Sequence, residues 1–219
     1  MDELHATIAL APAAVYLLLL GMLNLSSRPF VTSGIRDTAA LGIAISGFVV
    51  AGPMELFLPE AVASRFGWQV WPILLLFYAL CLTLVVLLLR PRIVVYNVTP
   101  EHLRAVLADV IGRLDKEARI AGDSVCLPNL SVQMHIEPFP MLKNVQLKAS
   151  GPAQSYQGWR ELELALQAAL KETRGTPNPY GFSLMLFGLM MTGLIFWWMA
   201  AEGEAIAQAW REMIRYEVD

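Results

Sequence analysis

The sequence predicts a multi-pass α-helical membrane protein, with four transmembrane helices and a small α+β domain inserted before the last of them. Three observations carry that prediction. The chain of 219 residues is 56% hydrophobic and only 16% charged, where an ordinary soluble domain is about 25% charged. The apolar excess is clustered, with no charged residue between His5 and Arg28, from Thr38 to Met54, from Phe66 to Leu89, or from Gly175 to Ala201. A helix needs roughly 20 apolar residues to cross about 30 Å of hydrocarbon, and these windows supply them, the second with least to spare. Between the third and fourth windows lies a polar, regularly patterned stretch, Pro91 to Arg174. The chain therefore divides into a three-helix transmembrane region (1–89), an α+β domain (90–175), a fourth transmembrane helix (176–200) and an amphipathic C-terminal helix (201–219).

The net charge of −3 becomes informative when divided by segment. Residues 90–175 carry eleven Lys/Arg against nine Asp/Glu, whereas residues 202–219 carry Arg211 and Arg215 against five acids. Arg28, Arg36, Arg90 and Arg92 all fall at helix ends on one side, and positive residues at such ends are retained in the cytoplasm. The expected arrangement is a domain in the cytoplasm and both termini outside, in a bacterial inner membrane. The start Met1-Asp2-Glu3-Leu4-His5 lacks the basic leader of a cleaved signal peptide, so the first helix is expected to stay in the mature protein. Cys81 in an apolar window and Cys126 in the polar domain are not placed to meet as a disulfide.

Taken in order, helix one covers Ala6 to Leu25, and Ser26-Ser27-Arg28-Pro29 ends it in a short cytoplasmic turn. Helix two, Ala39 to Leu58, carries Gly42, Ser46, Gly47, Ala51 and Gly52. Small side chains let backbones approach closely where water does not drive association, so this is the expected packing helix. Pro53 and Pro59 bracket Glu55, an acid at the outer interface that is either solvated or an ion or proton site. Trp68 and Trp71 open the third helix at headgroup level, and Arg90-Pro91-Arg92 stops it.

In the domain, Arg92 to Val98 is dense in β-branched residues and reads as a buried strand. Thr99-Pro100 suits a helix cap and first turn. Leu103, Val106, Leu107, Val110, Ile111 and Leu114 recur at helical spacing, predicting a helix to about Ile120 that closes at Gly122-Asp123. Ser124 to Leu127 reads as a short strand. Ser131 to Glu137 and Asn144 to Ala149 alternate strictly, and the apolar segment between them suits a hairpin loop. A second helix spans Tyr156 to Thr173, with Trp159, Leu162, Leu166 and Leu170 along one side. This is the order of an antiparallel sheet with two helices on one face, similar in topology to a ferredoxin-like layout. Such an analogy carries no function.

No phosphate loop, nucleophile elbow or metal-spaced histidine pair occurs, so no catalytic, cofactor or metal residue is assigned and the chain is not read as an enzyme. The acids Asp109, Asp115, Glu117, Glu161 and Glu163 are expected on solvated helix surfaces. The nearly balanced domain charge disfavours nucleic acid, while cations beside the membrane suit anionic lipid headgroups. Phe139, Met141 and Leu142, in a proline-flanked loop, form an apolar patch suited to a partner. The resulting expectation is an integral membrane scaffold or accessory subunit whose domain contacts membrane or cytoplasmic proteins, a second copy included. The alternative is a small transporter or ligand-responsive sensor that uses Glu55.

Overall fold

The computed structural model describes residues 3–54, 69–139, 143–152, 154–201, 203–204 and 207–208. The elements are α1 (Glu3–Leu25), β1 (Phe30–Ser33), α2 (Gly34–Val49, continued by a π-helical turn over Val50–Met54), α3 (Val70–Leu88), β2 (Arg92–Tyr96), α4 (Pro100–Leu114), β3 (Arg119–Ala121), β4 (Ser124–Leu127), β5 (Val132–Phe139), β6 (Asn144–Ala149), α5 (Tyr156–Lys171) and α6 (Tyr180–Ala201). Most of the expected C-terminal amphipathic helix lies outside the described residues.

Among the described residues, four stretches are long and apolar enough to cross a membrane: Ala6–Leu25, Gly34–Gly52, Val70–Leu88 and Tyr180–Ala201. Their outward side chains are those hydrocarbon accepts and water does not. Leu76, Phe77, Leu88, Phe182, Met190 and Phe196 are each more than 60% exposed. The second stretch starts at Gly34, five residues before the apolar window suggests. Ser33 Oγ accepts the Arg36 N–H at 3.4 Å, and the charges at 36 and 37 are answered by ion pairs, so they do not delay the helix.

The chain resolves into two compact units, one over Met1–Leu19, Ala39–Leu87 and Leu184–Asp219, the other over Leu20–Thr38 and Leu88–Ser183. The second holds a six-stranded antiparallel sheet in the order β1-β2-β6-β5-β4-β3. Alternate residues Ile93 and Val95 (β2), Val145 and Leu147 (β6), Val132, Met134 and Ile136 (β5), and Val125 and Leu127 (β4) form one apolar face. It shares a core with Leu103, Leu107 and Ile111 of α4 and Trp159, Leu162, Leu166 and Leu170 of α5. Burying each such side chain contributes about 1.5–3 kcal/mol before conformational entropy is counted. Thr99 Oγ1 accepts the His102 N–H at 3.3 Å and Ser155 Oγ the Gly158 N–H at 3.2 Å, so both helices are capped by hydroxyls.

Three features depart from expectation. The strand order is not ferredoxin-like: that layout interleaves its two β-α-β halves, whereas here β3 to β6 form a meander that returns beside β2. The turn after α1 contains strand β1, whose Val31 pairs with Val95 and whose Phe30 pairs with Tyr96. Finally, α4 stops at Leu114, and Ile120, 54% exposed, lies in edge strand β3. Ala121 pairs with Ser124, so Gly122-Asp123 is a two-residue hairpin turn, and Gly122 supplies its positive φ of 60°.

Asparagines tie the loops of this unit together. Asn97 is fully buried in left-handed backbone (φ 58°), a conformation asparagine tolerates better than most residues. Its Nδ2 donates to the Leu23 carbonyl at 2.5 Å and towards that of Arg28 at 3.4 Å. Its own carbonyl accepts the Thr176 N–H at 3.0 Å. The Gly175 N–H reaches the Ser27 carbonyl at 2.8 Å, and the Asn178 N–H the Asn24 carbonyl at 2.7 Å. Asn178 Oδ1 then accepts the Tyr180 N–H at 3.1 Å where α6 begins. The last turn of α1, the end of β2 and the linker into α6 thus satisfy one another's backbone groups.

Asp115 explains why α4 ends early. The sequence places it on a solvated surface, yet it is buried, and its carboxylate accepts the Glu117 and Asn129 backbone N–H groups, each at 2.9 Å, and Asn129 Nδ2 at 2.7 Å. Burial pushes this carboxyl up, but the Glu117, Asn129 and Leu130 donors outweigh it and hold the pKa below the usual carboxylate value. A depressed folded-state pKa gives stability that is present above the unfolded value of about 4 and lost as pH falls through the folded one. Thermal unfolding of the detergent-solubilised chain should therefore show a melting temperature that falls below pH 4, and Asp115→Asn should lower it at pH 7 and flatten the acid limb. An unchanged acid limb in the variant would contradict this assignment.

Candidate functional site

Of the expected packing residues of α2, Gly42 and Gly47 each meet a different neighbour. A Cβ at Gly47 would overlap the Ile8 carbonyl oxygen and come within 2.7 Å of that of Ala9, with Pro12 Cδ at 3.0 Å. Pro12 has no N–H to donate to Ile8, so the freed carbonyl faces the glycine. Gly42 lies against the Leu82 side chain of α3, and Tyr78 Oη donates to the Gly42 carbonyl at 2.6 Å. Ser46 donates to its own helix, to the Ile43 carbonyl at 2.8 Å, and Ala51 is half-buried. Gly42 and Gly47 are five residues apart and point to different sides of α2. They seat it between α1 and α3, where a single small-residue seam would serve one partner.

Glu55, Met141 and Leu142 lie outside the described residues. Phe139 is half-buried at the end of β5, with Lys148 Nζ 5.6 Å from its ring centroid. Among the described residues no three His, Cys, Asp or Glu side chains are grouped as a metal site requires. His102 and His135 are exposed, and Cys81 and Cys126 are free thiols.

Concavities among the described residues of the domain unit include two of note. One, of about 710 Å³, runs between α4 and α5, is floored by Ala165, Ala168 and Ala169, and is rimmed by Asp109, Arg113 and Glu172. The other, of about 270 Å³, is lined by Ser33, Ile35 and Arg36 from the β1–α2 junction, Pro91 to Ile93 from the start of β2, and Tyr156, Trp159, Arg160 and Glu163 from α5. Glu163 is the second acid expected on a solvated surface that is instead buried, at 4% exposure. It is answered by Arg36 Nη1 at 3.0 Å, Gln167 Nε2 at 3.3 Å and Arg160 Nη1 at 3.6 Å. Arg92 Nη2 is held by Asp37 Oδ2 at 3.3 Å and Thr38 Oγ1 at 3.1 Å, and Tyr96 Oη donates to Asp37 Oδ1 at 2.7 Å.

In the sequence Arg36 and Arg92 are markers of membrane side, with cations beside the membrane suited to anionic lipid headgroups, and Arg160 is not singled out. The sheet and α5 bring the three together from positions that no local motif connects. No protein-family model matches the chain, and neither a curated protein nor a solved structure matches it.

The glycine geometry separates two substitutions on one helix. Gly47→Leu forces α1 and α2 apart and should lower the melting temperature of the purified chain by several degrees, whereas Gly52, where a Cβ would meet no atom within 4 Å, should accept leucine with little change. Equal losses from the two variants would refute close packing at Gly47.

Proposed function

We propose that this chain is an integral membrane scaffold or accessory subunit whose α+β domain lies in the cytoplasm and holds another protein against the membrane. One observation supports this reading most directly: the domain shares backbone hydrogen bonds with the end of α1 and with the linker into α6, through Asn24, Asn97 and Asn178. A domain that only needs to be tethered is served by a flexible linker. One whose own loops are tied by hydrogen bonds to the chain segments that enter and leave it is ordered at those entry points, which suits assembly. We assign the contact to the alanine-floored groove between α4 and α5, which admits a partner helix at close range. Phe139, close in sequence to Met141 and Leu142, is a second candidate contact on the same domain. The arginines at helix ends favour a cytoplasmic domain and external termini, and a bacterial inner membrane is the setting we infer.

Native mass measurement of the chain gently extracted from its own membrane should give a particle heavier than one chain, and Ala168→Arg in the groove should return it to a single chain without unfolding it. A strictly single-chain particle from the unaltered protein would refute the scaffold reading. A reporter fused at Asp219 should behave as non-cytoplasmic, and cytoplasmic activity would overturn the assigned sidedness.

A further inference from the structure

The arginine-lined cavity has the chemistry of an anion site. Its walls carry Arg36, Arg92 and Arg160 against Glu163, with Asp37 behind Arg92, so one positive charge remains unmatched. Arg36 and Arg160 are each more than half exposed, and each guanidinium presents five N–H donors, of which Arg36 gives one to Glu163. The Nε of Arg92 is buried without an acceptor while its Nη2 is held by Asp37 and Thr38. That Nε is packed beside Gly34, so Arg92 acts on the cavity through its charge. The first turn of α2 adds its positive end, since Ser33, Ile35 and Arg36 all line the cavity.

Glu163 has a positioning part. Because it is buried, and bonded to Gln167 as well as to Arg36, it holds the Arg36 guanidinium through one nitrogen while that side chain stays half exposed. Planar guanidinium forks match the oxygens of an oxyanion two at a time, which favours it over a halide, and a phosphate carries enough oxygens to engage more than one fork where a carboxylate fills only one. The remaining lining, Ile35, Pro91, Ile93, Tyr156 and Trp159, is apolar or aromatic and suits the carbon skeleton attached to a phosphoester.

We propose that this cavity binds a singly charged phosphate group, with a phospholipid headgroup as the source its position favours. Arg36 is the third residue of the candidate span Gly34–Gly52, and Arg92 lies four residues past the end of Val70–Leu88, which is headgroup depth. The lipid source rests on the membrane reading, and phosphate recognition itself does not.

The test uses the full chain in a neutral detergent. Native mass spectra are recorded with phosphatidylglycerol and, separately, with a galactosyl diacylglycerol of the same acyl chains, and melting temperatures are recorded with inorganic phosphate against chloride at equal ionic strength. The expected result is a preference of about tenfold for phosphatidylglycerol, lost in Arg160→Gln and unaffected in Arg113→Gln, which lies on the other concavity. Arg160 is exposed, so its variant should keep the fold, and Arg36→Lys supplies a second, milder change. A melting temperature raised by phosphate in the unaltered chain but not in Arg160→Gln, with no lipid preference, supports the same site with free phosphate as its ligand. No response to either probe, or a response that survives in Arg160→Gln, overturns the proposal.

Discussion

Asn97 is the constraint on which the domain unit depends. Three segments far apart in sequence, the end of α1, the end of β2 and the linker before α6, each arrive with backbone groups that no regular element satisfies. A buried N–H or carbonyl without a partner costs about 1–3 kcal/mol, so the segments must satisfy one another or stay apart. Asn97 does this because its left-handed backbone turns the chain sharply after Tyr96, which directs the side-chain amide to Leu23 and Arg28 and the main-chain carbonyl to Thr176. Once that point is fixed, Pro29 and the β1 residues are led alongside β2, and the sheet gains its sixth strand. The edge so formed is partly closed by Gln167, whose Nε2 reaches the Val31 carbonyl at 3.3 Å.

What the sequence made legible follows from periodicity. Four apolar windows gave the four long helices, and strict alternation in 131–137 and 144–149 gave β5 and β6, because these signals are local and repeat many times. The cap at Thr99-Pro100 was equally plain, being a two-residue motif with one geometric use. Strand β1 was not legible: four residues between two apolar windows form a strand only because β2 offers them an edge. Asp115 and Glu163 carry no mark that separates a buried acid from a solvated one, since their donors, Asn129 and Arg36, come from elsewhere in the chain. The ferredoxin-like layout failed for the same reason, as element order does not record which strand β6 will lie beside.

The candidate site shows this limit most clearly. Arg36, Arg92 and Arg160 belong to the start of a helix, the start of a strand and the second turn of another helix, and their separation in sequence hides a shared cavity. Charge near helix ends has a general explanation in membrane sidedness, which makes the specific one easy to overlook. Yet Arg92 also pins the first turn of α2 to the sheet through Asp37, and Arg36 joins it to α5 through Glu163. The same side chains that hold the domain's elements together thus line a basic concavity. A ligand there would bear directly on the junction, and the scaffold reading and the anion site share one structural base.

Hydrogen–deuterium exchange at the amides of Gly175, Thr176 and Asn178 in the intact chain tests the central claim most directly, because these are the donors to Ser27, Asn97 and Asn24 across the clasp. Slow exchange is predicted at all three, with collective loss of that protection in Asn97→Ala. Exchange in the unaltered chain as fast as at the exposed Gly122 turn would contradict it.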